Sequence, residues 1–161
     1  MHAETNDTIA AISTAPGIAG IAVVRISGTK SIDIADEIFA HPSKKPSALP
    51  QNSFIYGHVI DKTGKKLDEV ILLVFRKGHS YTCEDVVEIQ CHGGRASAVR
   101  VLARVLEAGA RLAEPGEFTK RAFLNGRLDL IQAEAVIDLI RAQTDLSASA
   151  AMEQLDGNLS C

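Results

Sequence analysis

Over the first ninety positions, apolar residues fall in short β-branched runs; beyond them they recur at helical spacing. Residues 8–13 and Ile21–Ser27 are two such runs, and Pro16-Gly17 stands between them, which predicts two strands joined by a short loop. Residues 31–39 carry Ile32, Ile34, Ala35 and Ile38, the pattern of a short amphipathic helix. Pro42, Pro46 and Pro50 then predict an exposed loop over 41–53 with no regular element. Three further strands are expected at 54–60, 70–76 and 86–91, the first two separated by a turn at Asp61-Lys62-Thr63-Gly64. Residues 70–75 (VILLVF) are apolar on both faces, so both need cover. Ala98, Val99, Leu102, Ala103 and Leu106 predict a helix over 95–108 that Gly109 stops.

From Glu114 the pattern changes to a turn, a basic helix and a capped second helix (EPGEFTKRAFLNGRLDLIQAE). Asp129 stands three residues before Gln132, as in a capping box. Ile131, Ala135, Val136, Leu139 and Ile140 form one stripe, and another helical pattern covers 146–155. Such helices need a partner to bury their stripes. The expected class is α+β: a mixed-sheet domain over 1–121, then the first helices of a helical domain over 122–161 whose remainder lies outside this chain.

Composition narrows the function classes. The 161 residues are 46% hydrophobic and 23% charged, an ordinary soluble balance. No run of apolar residues is long enough to span a bilayer, and the N-terminus has no basic-then-apolar leader pattern. Cys83, Cys91 and Cys161 form no C-x-x-C pair, which suits reduced thiols in the cytoplasm. A formal net charge of −3 disfavours general nucleic-acid binding. Residues 95–127 nevertheless hold seven basic and three acidic side chains, read as a solvated helix face.

Two charges stand where apolar residues are expected. On the run 86–91, period two puts Val87, Ile89 and Cys91 on one face and Val86, Glu88, Gln90 and His92 on the other. That second face is either solvated or the wall of a pocket. In a pocket, the Glu88 carboxylate can accept two parallel N–H donors from a guanidine-like edge, such as a pterin's or an arginine's. Arg25 interrupts Ile21–Ser27, as an ion-pair partner or as the holder of a polar ring edge. Gly93-Gly94 leads into a helix, where backbone N–H groups can meet an anion or merely make a tight turn. No G-x-x-x-x-G-K-[ST] occurs, so no P-loop is present. His2, His41, His58, His79 and His92 are scattered without metal-site spacing, and there is no nucleophile elbow.

Three blocks, TIAAISTAPGIAGIAVVRISG (8–28), SYTCEDVVEIQCHGG (80–94) and EPGEFTKRAFLNGRLDLIQAEAVIDLI (114–140), resemble the N-terminal part of the MnmE (TrmE) family of tRNA-modification GTPases. The resemblance implies a fold similar to the folate-binding module of aminomethyltransferases. It implies homodimerisation and a bound tetrahydrofolate derivative, in the 5-formyl or methylene form, contacted by Arg25, Glu88 and Arg127. It further implies a cytoplasmic protein, off the membrane, that works with the flavoprotein MnmG to place a carboxymethylaminomethyl-type group on C5 of the tRNA wobble uridine. GTP, magnesium and potassium would be used by a G domain that this sequence does not contain. Cys161 falls too early to be the family's C-terminal cysteine. Two departures stand out: Lys is frequent in the family where Arg127 stands, and Gly is usual where Cys83 stands. The alternatives are an autonomous aminomethyltransferase-like enzyme, with Asp85 or His92 as the nearby acid or base, and a purely structural dimerisation module.

Overall fold

The computed structural model describes residues 7–157, so Cys161 and His2 lie outside it. The chain divides into two compact units after Pro115. In the first, the β-branched runs become strands β1 (Ile9–Ile12) and β2 (Ile21–Ser27), followed by α1 (Ser31–Ile38) and β3 (Phe39–Ala40). Strands β4 (Ser53–Ile60), β5 (Lys66–Phe75) and β6 (Val86–His92) come next, then α2 (Arg95–Glu107) and β7 (Arg111–Leu112). They form one seven-stranded sheet in the order β3-β4-β5-β6-β2-β1-β7. Every pairing is antiparallel except β1 with β7, so the sheet is mixed.

Period two gives this sheet two unlike faces. Val24, Ile26, Leu72, Val74, Val87 and Ile89 are buried in one core with Ile34 and Ile38 of α1 and Val101 and Val105 of α2. The opposite face carries Arg25 and Glu88, with Ile21, Phe54, Tyr56 and Ile71 exposed around them. The strand predicted to need cover on both faces therefore buries Val70, Leu72 and Val74 but leaves Ile71 exposed and Leu73 and Phe75 half-buried.

Several boundaries differ from the sequence expectation for identifiable reasons. β5 begins at Lys66, four polar-rich residues before the apolar run, because the ladder to β4 continues to Ile60 opposite Lys66. The proline-rich loop contains a 3-10 turn at Pro46–Ala48, with Pro46 and Leu49 buried; a proline suits the first turn, where its missing N–H is not needed. β3 and β7 are two residues each, too short to show a period. The reading of 95–127 as one solvated face is corrected at Arg121, which is 2% exposed, and at Arg104, which is only 4% exposed. Its Nε donates to the Ile60 carbonyl and its Nη2 to Glu37, both at 3.0 Å, so it ties α2 to β4 and α1.

The second unit holds α3 (Glu117–Leu124), α4 (Leu130–Arg141) and α5 (Asp145–Leu155). The capping box expected at α4 is present: Gln132 N donates to Asp129 Oδ1 at 2.8 Å and Asp129 N to Gln132 Oε1 at 3.0 Å. Thr144 and Ser147 make the same arrangement at α5. Ala135 and Ala151 are buried in this unit, while Ile140 and Leu146 are exposed. No helix among the described residues is long and apolar enough to cross a membrane.

Candidate functional site

The two charges that looked misplaced in the sequence answer one another. β2 and β6 pair so that Arg25 stands directly opposite Glu88, and Arg25 Nε donates to Glu88 Oε1 at 2.8 Å. The side chains are 25% and 21% exposed, so the pair is neither sealed in the core nor fully hydrated. The Tyr81 ring lies 5.5 Å from the Arg25 guanidinium carbon, in cation–π range. No protein donor reaches Glu88 Oε2 among the described residues. A half-buried carboxylate with one unused oxygen, on an open apolar face, can accept further N–H or O–H donors.

The loop between β5 and β6 is held rigidly beside this pair. Ser27 Oγ donates to Glu84 Oε2 at 2.6 Å and shares a 2.7 Å bond with Thr82 Oγ1. The Asp85 carbonyl accepts from Gly28 N at 3.0 Å and from Ser31 Oγ at 2.8 Å, and its carboxylate accepts from Lys77 N at 2.8 Å. Asp85 is thus occupied in fastening the loop. Cys83, where the resemblance led to an expectation of glycine, sits at φ 61° in the left-handed region.

Beyond Glu88 the same face of β6 carries Gln90 and then His92. His92 Nδ1 lies 2.6 Å from Asp68 Oδ1, its backbone N donates to Asp68 Oδ2 at 2.9 Å, and Ser97 Oγ donates to the same oxygen at 2.5 Å. The Asp68 side chain is 9% exposed and the imidazole 66%. Burial alone raises Asp68, but the bonds from Ser97 and His92 outweigh it and leave the carboxyl below its usual range. The Asp68 bond and charge, with help from Glu69, hold the His92 imidazole above its ordinary value. Cys91, buried on the opposite face, has its thiol pushed up to about 11 by burial and by Asp68, which makes it a poor nucleophile.

Arg127 belongs to the second unit, in the turn between α3 and α4, where its backbone N donates to the Ala122 carbonyl at 2.9 Å. Gly93 makes a tight turn: a Cβ there would stand 2.2 Å from the Ala19 carbonyl oxygen. A cleft of about 570 Å³ opens beside this turn, but it is mostly apolar and brings no pair of titratable groups together. Among the described residues, no three or more His, Cys, Asp or Glu side chains are grouped as metal ligands. Asp68 and Ser97 escaped the sequence reading because β5 was started too late to place Asp68 on a strand beside His92.

The family profile described as GTP-binding protein TrmE N-terminus matches residues 8–127. The chain is 58% identical over 156 residues to the tRNA modification GTPase MnmE of Geobacillus kaustophilus, covering 96% of this chain and 34% of that protein. It is 54% identical over 155 residues to the tRNA modification GTPase MnmE of Enterococcus faecalis, covering 96% of this chain and 33% of the relative. The chain therefore spans about a third of the length of the curated relatives it matches.

Proposed function

We propose, from the premise that the chain belongs to the TrmE N-terminus family of GTP-binding proteins, that it is the reduced-folate-binding and dimerising module of a tRNA-modification GTPase. The observation that carries the reading is the Arg25–Glu88 rung, with Glu88 Oε2 open to a ligand. A pterin's amino-pyrimidinone edge offers parallel N–H donors of the kind a carboxylate accepts in pairs. Arg25 fixes the carboxylate plane through its Nε bond to Oε1. The ligand is a tetrahydrofolate one-carbon derivative, on a sheet of the aminomethyltransferase-like kind. Arg127 enters as a third contact from the resemblance alone.

The exposed Ile21, Phe54, Tyr56 and Ile71 around the rung favour a second copy of the chain as their cover, because an open apolar sheet face of this kind is rarely left to water. The other two-thirds of the relatives' length would supply GTP hydrolysis with magnesium and potassium. In that setting the module would serve modification of the tRNA wobble uridine together with MnmG in the cytoplasm. Calorimetric titration with 5-formyltetrahydrofolate tests the reading: binding by the wild-type chain and its loss in Glu88→Ala support it, and absence of binding by the wild type overturns it. In that event the closed ion pair and the apolar face would leave a purely structural dimerisation module.

A further inference from the structure

Gln90 and His92 continue the polar track that begins at Glu88 on an otherwise apolar face, and they line a recess of about 190 Å³ with Ile21, Tyr56, Glu69 and Ile71. Glu88 and His92 are four steps apart along the strand, about 13 Å at the usual rise. A bicyclic ring held by one edge at Glu88 and laid along β6 carries its opposite edge over Gln90 towards His92. In a reduced folate that opposite edge bears the one-carbon unit. Resting on the folate reading above, we propose that His92, oriented by Asp68, is the hydrogen-bond donor that grips the oxygen of the one-carbon unit.

The chemistry of the recess selects that acceptor. Asp68 Oδ1 fixes His92 Nδ1–H, so the neutral ring turns a bare Nε2 outwards and the protonated ring turns an N–H outwards. The imidazole bonds Asp68 and shares its recess with Glu69 on β5 and Tyr56 on β4; behind them Ser97 on α2 bonds Asp68, and His58 Nε2 on β4 lies 3.8 Å from Glu69 Oε1. The two carboxylates favour the protonated ring and disfavour an anion beside it. A phosphate or a folate's glutamate tail is therefore a poor occupant, and a neutral carbonyl-type oxygen is a good one. Asp68 also staples the β6–α2 turn, but that duty uses only the Nδ1 edge and the backbone N–H of His92.

The test compares 5-formyltetrahydrofolate with tetrahydrofolate by calorimetry, in the wild type and in His92→Asn, whose side-chain amide can keep the Asp68 bond while removing Nε2. The wild type is expected to prefer the formyl derivative about tenfold through this contact at pH 6, and to lose that preference as pH rises through the His92 titration. His92→Asn should show no such pH-dependent preference. Asp68→Asn, which keeps the imidazole and weakens its proton affinity, should move the loss to lower pH. In nitrogen NMR, the His92 Nε2 resonance should shift with the formyl derivative and not with tetrahydrofolate. An unchanged preference in His92→Asn, or a silent Nε2, would overturn the proposal while leaving the Glu88 reading intact. If neither folate binds the wild-type chain, both readings fall.

Discussion

Arg25 Nε and Glu88 Oε1 lie 2.8 Å apart across β2 and β6, at positions that the strand register sets directly opposite one another. The pair leaves Glu88 with an unused oxygen and gives the open sheet face its one cross-strand charge rung among the described residues of β2 and β6. Removing either partner should therefore separate binding from stability.

Glu88→Ala is expected to weaken 5-formyltetrahydrofolate binding by roughly 2–4 kcal/mol, the loss of a charge-assisted bidentate contact. The same change should cost less than about 1 kcal/mol of folding stability, because both side chains are about a quarter exposed and the pair is screened. Calorimetry and urea unfolding measure the two effects; a large stability loss with unchanged affinity would assign the rung to structure alone.

Cys83→Gly should stabilise the first unit. At φ 61° a side chain is strained, while glycine is not, and the gain is offset in part by the greater freedom of glycine in the unfolded chain. A net gain of about 0.5 kcal/mol is expected from thermal unfolding. A lower melting temperature would mean that the half-buried Cys83 side chain packs well enough to outweigh its backbone.

The His92–Asp68 pair makes stability depend on pH from both sides. His92 is raised in the folded state, so its contribution is complete below the ordinary histidine value and is lost as pH rises through the raised one. Asp68 is lowered, so its contribution holds above the ordinary carboxylate value and is lost as pH falls through the lowered one. The urea midpoint should be higher at pH 6 than at pH 8.5, and Asp68→Asn should flatten that difference. Equal midpoints for the wild type at the two pH values would contradict the pairing.

GTP hydrolysis by this chain is expected to be indistinguishable from buffer. It contains no P-loop, and the Gly93 turn before α2 is packed against the Ala19 carbonyl rather than opened as a phosphate cradle. Phosphate release that co-elutes with the chain through successive columns is the contrary result.

Association through the open face predicts a dimer at micromolar concentration, and Ile71→Arg, which places a charge among Tyr56 and Ile21, should shift it to monomer without unfolding it. Sedimentation velocity distinguishes the species. A wild-type chain that stays monomeric with and without folate would show that the dimer draws on other parts of the relatives' length.

Local patterns carried most of the secondary structure. Alternation placed β2, β4 and β6 within a residue or two, helical spacing placed α1 and α2, and the Asp129–Gln132 spacing located the start of α4. Register was not legible, because a period of two tells which face Arg25 and Glu88 occupy but not that they are opposite each other. The same gap hid the Asp68–His92–Ser97 cluster. Lys66, Asp68 and Glu69 are poor strand formers by themselves and are held in β5 by the ladder to β4. Arg104 misled for another reason: its stem is long enough to cross a core-facing position and still deliver its guanidinium to Ile60 and Glu37.

The strand order has a bearing on how the sheet comes into being. β4 and β5 are neighbours in sequence and can close as a local hairpin, over the turn where Asp61 Oδ1 accepts from Thr63 and Lys65. β2 has no such early partner on its β6 side, for Arg25 must wait for Glu88, 63 residues later. During synthesis Ile21–Ser27 therefore leaves the ribosome before the β6 strand that completes its ladder, and until then only the local pairing with β1 is open to it. Slowing translation between residues 30 and 85 should lengthen the interval in which that strand is available to chaperones, while leaving the finished sheet unaltered.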